Sequence, residues 1–155
     1  MRNLPLNLIR HALDEDGAWS DITTLSTVPG EKQAQASIIA RQAGVIAGLN
    51  VAAETFRLLD SAIAIELLVQ DGAAVQSGQT LAHLSGLARS LLSAERVALN
   101  FLGHLSGIAT VTARCVSAIE GTRARILDTR KTTPGLRSLE KDAEGRAAVT
   151  ITASA

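Results

Sequence analysis

The side chains best suited to chemistry gather in one segment, residues 123–137, RARILDTRKTTPGLR. Arg125, Arg130, Lys131 and Arg137 surround what reads as the end of a short strand at 124–128. In open α/β sheets, ligands bind outside the carboxyl ends of strands. A loop there with adjacent Arg and Lys, the hydroxyls of Thr129, Thr132 and Thr133, and a stiff Pro134-Gly135 turn is suited to an anion. Arginine offers a planar fork to a carboxylate or phosphate, and lysine a point charge. Asp128 is placed to orient one of them. The competing reading is a solvated basic turn with a helix cap at Thr132 or Thr133.

A second segment, 89–101 (RSLLSAERVALNF), puts Glu95 and Arg96 among apolar residues on a helix. Asn100 falls on the same face as Arg96, four residues on. Such an arginine can reach into a site or across a subunit interface. Its plainer reading is a surface ion pair with Glu95 or a neighbour. Other groups carry less. His11, His83 and His104 lack metal-ligand spacing. Cys115, between Val111, Val116 and Ile119, reads as a small core residue. Gly72, Gly78 and Gly86 mark turns rather than a phosphate loop. Asp14, Glu15, Asp16 and Asp21 read as a solvated helix end rather than a metal cluster.

The elements that must carry these residues follow from periodicity. Pro5 opens a helix over 4–15, with Leu8, Ile9, Ala12 and Leu13 on one face. Residues 18–33 read as a loop by their Ser, Thr, Pro and Gly content. Residues 34–48 alternate and give one or two strands, and 49–59 give a helix. Over 62–84, turns at Asp71-Gly72 and Ser77-Gly78 predict a β-meander. Residues 87–120 are helical with a break at Leu105-Ser106-Gly107. The strand 124–128 and a helix over 136–143 complete a βα unit. A single such unit cannot bury both faces of its strand, because a parallel sheet needs further strands beside it.

Composition bounds the rest. The chain has 155 residues, 46% of them hydrophobic and 19% charged, enough for a packed core and unlike a disordered chain. Fifteen basic residues balance fifteen acidic ones, which argues against a nucleic-acid partner. Aromatics are 2%, too few for base stacking. One cysteine excludes an internal disulfide and suits a reducing cytoplasm. No apolar run is long enough to span a bilayer, so no membrane association is expected.

The stretches ARSLLSAERVALNFLGHLSGIATVT and ARILDTRKTTPGLRSLEK resemble the quinolinate phosphoribosyltransferases, the carboxylating nicotinate-nucleotide pyrophosphorylases. ALDEDGAWSDITT, RQAGVIAGL and DGAAVQSGQTLAHLSG are similar to the same family, so the likeness runs from about residue 12 to about residue 143. It implies an α/β fold: a sandwich domain over 1–105, then the start of an incomplete α/β barrel over 106–143. It also implies phosphoribosyl transfer from phosphoribosyl pyrophosphate to quinolinate with decarboxylation, in NAD biosynthesis. Mg²⁺ would be the cofactor and a homodimer the assembly. By resemblance Arg96 reaches the partner subunit's site, and Thr129, Arg130 and Lys131 bind substrate. Two other readings stay open: a dimerising, anion-binding remnant without activity, and a related pyrophosphorylase-like protein associated with molybdenum transport.

Residues 144–155 are expected to depart from the family, whose pattern continues through a glycine-rich stretch with Asn-His-Arg. The acidic ligands for Mg²⁺ and ribose are expected to be missing with it. Residues 146–155, RAAVTITASA, can be written as CGG GCG GCG GTC ACA ATC ACC GCC TCG GC. Read from the third base, these codons give Gly-Gly-Gly-His-Asn-His-Arg-Leu-Gly. A reading-frame shift near Ala143 is therefore expected. The coding DNA past that codon decides it: a third-base frame without Asn-His-Arg refutes the shift.

Overall fold

In the computed structural model, residues 4–149 are described. The frame-shift expectation for 146–155 thus falls partly outside them, and residues 150–155 are not described. The fold is α/β. Helix α1 (Leu6–Asp16) ends at Gly17 in the left-handed region and buries Ile9 and Leu13 completely. A single 3₁₀ turn (Ala18–Ser20) and a short helix α2 (Ile22–Thr27) occupy the segment expected to be a loop. Asp21 explains α2, since its carboxylate accepts from Thr24 N–H at 3.2 Å and from Thr24 Oγ1 at 2.6 Å, a local N-cap.

Strand β1 (Gln33–Ile39) and strand β2 (Gly44–Val45) follow, then helix α3 (Leu49–Leu59), strands β3 (Ala64–Leu67), β4 (Ala74–Val75) and β5 (Thr80–Leu87). The expected meander does not form. β5 lies in the middle of a three-stranded antiparallel sheet, order β1-β5-β3, while β4 leaves to pair with β2. In β1, Ile38 faces the core and Ser37 faces outward onto His83, so alternation sets the register.

Helix α4 (Ala88–Ala118) is one continuous helix of 31 residues, and the break expected at 105–107 is absent. Tertiary contacts override the roughly 1 kcal/mol cost of a helical glycine. Leu105 is buried under the Gly48 backbone. Ser106 Oγ accepts from Ala47 N–H and donates to Ala47 O, both at 3.1 Å, and Thr110 Oγ1 accepts from Val45 N–H at 2.9 Å.

α4 divides the interior between two apolar clusters. Leu91, Ala94, Ala98 and Leu102 pack with Ile38, Phe56, Leu81 and Leu84 beneath the sheet. Val97, Phe101, Leu105 and Ala109 pack with Ile9, Leu13 and Val51, and with Leu139, Ala143 and Ala147 of helix α5 (Arg137–Val149). α5 continues six residues past the expected end at 143.

Residues 124–128 form no strand, contrary to expectation. Ile126 and Leu127 are exposed, Leu127 by 78%. None of the described strands lies alongside to take up their backbone groups, the difficulty already present in a lone βα unit.

Gly48 has φ +85°, and a Cβ there would stand 2.5 Å from Leu105 Cδ1. Gly48→Ala is expected to cost roughly 1–3 kcal/mol through strain and overpacking. Urea unfolding of the two proteins measures it.

Candidate functional site

The loop between α4 and α5 is shaped by short-range polar contacts. Thr129 Oγ1 accepts from Lys131 N–H at 3.1 Å, and Leu136 N–H donates to Thr133 O at 3.0 Å. Gly135 supplies φ +83° before the helix. The first two turns of α5 then grip the loop. Arg137 donates to Thr132 Oγ1 at 3.2 Å and to Arg130 O at 3.3 Å. Lys141 Nζ pairs with Asp128 Oδ2 at 2.8 Å. Asp128 therefore orients a lysine of α5, not Arg130 or Lys131 as expected. Thr133 N–H donates to Glu140 Oε2 at 3.1 Å, and the other Glu140 oxygen accepts from His104 Nε2 of α4 at 2.8 Å.

Glu140 is only 6% exposed. Burial pushes its carboxyl up, but hydrogen bonds from Thr133 and His104 outweigh that and hold it below the usual carboxylate range. Arg130 and Lys131 are both exposed, and among the described residues neither side chain has a hydrogen-bond or ion-pair partner. Two adjacent cations on a loop held from behind form a surface that can take a carboxylate or a phosphate.

Arg96 lies elsewhere. Its Nη1 contacts both oxygens of Asp16, at 2.9 and 3.1 Å, across from the end of α1. The ion-pair reading thus holds in this chain, with Asp16 rather than Glu95 as partner. The hydrogen bond to Asp16, reinforced by Asp21 and Glu95, raises its pKa above the ordinary arginine value. The side chain remains 70% exposed, and among the described residues only its Nη1 makes a contact with a carboxylate. No contact joins Arg96 to residues 129–131 within the described residues.

The acidic residues near α1 are engaged individually: Asp14 accepts from Trp19 Nε1, Asp16 holds Arg96 and Asp21 caps α2. Among the described residues no three His, Cys, Asp or Glu side chains gather to hold a metal ion. Cys115 is exposed on α4, which corrects its reading as a core residue.

Sequence reasoning set Asp16 aside as part of a solvated helix end and His104 as a histidine without ligand spacing, and it missed Glu140 and Lys141. Glu140 left a faint signal, a carboxylate beside Leu139 and three residues before Ala143 on the face of α5 that packs inward. Its partner His104 is 36 residues away, which no local pattern reveals.

Residues 21–106 match the family described as quinolinate phosphoribosyl transferase, N-terminal domain, and residues 108–149 match its C-terminal domain. The chain is 48% identical over 139 residues to nicotinate-nucleotide pyrophosphorylase (carboxylating) of Mycobacterium leprae, covering 86% of this chain and 48% of that protein. It is 41% identical over 135 residues to the chloroplastic nicotinate-nucleotide pyrophosphorylase (carboxylating) of Oryza sativa, covering 86% of this chain and 36% of that one. Among solved structures it is similar to NadC from Streptococcus pyogenes, with a TM-score of 0.86 and 42% identity, over 91% of this chain and 51% of that chain. It is also similar to nicotinate-nucleotide pyrophosphorylase from Ehrlichia chaffeensis, with a TM-score of 0.88 and 36% identity, over 95% of this chain and 54% of that chain. The chain spans half or less of the length of these curated relatives.

One turn beyond Glu140, Glu144 has a buried oxygen, Oε2, with no hydrogen-bond partner among the described residues. Burial first, then the Asp128 carboxylate, raises its pKa. A raised folded-state pKa means that the penalty is absent below the ordinary Glu range, near about 4.3, and complete above the folded value. Glu144→Leu is therefore expected to gain roughly 1 kcal/mol at neutral pH. Urea titrations at neutral and acid pH check this, and the gain should shrink as the pH falls through the carboxylate range.

Proposed function

Because this chain belongs to the quinolinate phosphoribosyltransferase family, we propose that it serves phosphoribosyl transfer from phosphoribosyl pyrophosphate to quinolinate with loss of carbon dioxide. The products are nicotinate mononucleotide and pyrophosphate, in the route to NAD. The observation that carries this reading is the pair Arg130 and Lys131, exposed and not neutralised, on a loop fixed by α5. Quinolinate is a dicarboxylate and needs such cations. In the reaction the ring nitrogen bonds to the anomeric carbon as pyrophosphate leaves. The 2-carboxylate then departs as carbon dioxide, leaving its electron pair on the ring carbon, which afterwards takes a proton from water. Fixed positive charge beside that carbon, together with the quaternised nitrogen, stabilises the developing carbanion. Arg130 supplies a bidentate fork, Lys131 a point charge and Thr129 a hydroxyl that also orders the Lys131 backbone.

The same reading places Arg96 at the partner's substrate in a homodimer. Two observations support it. Asp16 uses only one nitrogen of the guanidinium. The chain also has an open groove of about 1010 Å³, lined by apolar residues of β1 and α4, with Leu92, Leu99 and Val111 exposed on the same helix. A second copy is the occupant we propose. Division into two units near residue 106 belongs to this reading as well, and the meeting point of the two family matches supports it.

Titration of the chain with quinolinate tests the function. Each charge-assisted hydrogen bond is worth roughly 1.5–3 kcal/mol, so Arg130→Ala should weaken binding at least about tenfold. Lys131→Ala should act in the same direction. Quinolinate binding that survives both changes overturns the reading. Light scattering of the same samples reports the dimer, and a strictly monomeric chain removes the role proposed for Arg96.

A further inference from the structure

We infer that Glu140 is a positioning residue for the anion loop, an inference that takes its ligand from the reading above. Its side chain is nearly buried, yet it is a carboxylate. A buried charge is costly unless its oxygens are used. Both are used here, by partners from different elements: Thr133 N–H of the loop at 3.1 Å and His104 Nε2 of α4 at 2.8 Å. The loop is thereby tied through one carboxylate to the longest helix of the fold.

The neighbours of Glu140 explain why it matters most. Arg137, Glu140 and Lys141 stand at i, i+3 and i+4 on α5, one face of its first turns. Between them they hold Asp128, the Arg130 carbonyl, the Thr132 hydroxyl and the Thr133 amide. Every contact takes a group other than the heads of Arg130 and Lys131, so the loop is fixed without neutralising it. The contacts of Arg137 and Lys141 are exposed, and exposed pairs contribute little. The Glu140 contacts are part-buried, with the Glu140 side chain itself 8% exposed.

The test is a ¹⁵N NMR titration of the full chain with quinolinate, in wild type, Glu140→Ala, Glu140→Gln, and Leu139→Ala as a control that weakens α5 packing alone. Unfolding midpoints are measured for all four. Glu140→Ala should weaken binding by roughly tenfold. Glu140→Gln, which keeps an acceptor oxygen, should recover part of the loss. Leu139→Ala should lose stability but keep its affinity. If Glu140→Ala binds as wild type does, or if Leu139→Ala loses as much affinity, the inference falls. Should wild type itself give no response, the substrate reading fails, and amide exchange at Lys131 and Thr133 decides the positioning role separately. Faster exchange in the Glu140 variants than in Leu139→Ala supports it, and equal exchange overturns it. If Glu140→Ala does not fold, Glu140→Gln and His104→Ala carry the same comparison.

Discussion

Two hydroxyls on α4, those of Ser106 and Thr110, hold the backbone of β2, whose one strand neighbour among the described residues is β4, and of the turn after it. Val45 and Ala47 give their N–H groups to these side chains. That arrangement requires a straight helix one turn apart at 106 and 110, and it requires close approach. Gly44 provides the approach, since a Cβ there would stand 2.6 Å from Thr110 Oγ1. Gly48 provides it again over Leu105. A break at Gly107 would part the Ser106 hydroxyl, on Ala47, from the Thr110 hydroxyl, on Val45, so the continuity of α4 is the constraint on which the fold depends. Both apolar clusters follow from it, because successive faces of the same helix supply each.

The helices with a single apolar stripe were legible from periodicity, and α3 has the boundaries expected. What was not legible depends on distant partners. The β4 strand is two residues long and finds β2 rather than its sequence neighbours. α2 is six residues long and owes its start to one carboxylate, Asp21. The glycine at 107 reads locally as a breaker, and only Ala47 and Val45, about sixty residues earlier, keep the helix whole there. Residues 124–128 have a strand's composition without a strand's neighbour.

The candidate site divides the same way. By type and spacing alone, Arg130, Lys131 and the threonines suggest an anion loop, and the structure leaves both cationic residues exposed. Which groups hold the loop is a question of contacts 7 and 36 residues apart, both made by Glu140. Arg96 was legible as a residue with two fates, a surface pair or a reach towards another subunit. The grip of Asp16 on a single nitrogen is compatible with both at once.

A loop that must bind an anion faces a conflict between order and charge. Ordering it with carboxylates against its own cations would neutralise the charge that the ligand needs. Leaving it unheld would make each binding event bear the entropy of ordering it. Here the conflict is resolved by sorting partners. The carboxylate of Glu140 meets a backbone amide, and the cations of Arg137 and Lys141 meet a carbonyl, a hydroxyl and Asp128. Arg130 and Lys131 are left over by this sorting, and their charge is available because the loop's order is drawn from Asp128, the threonines and backbone groups instead.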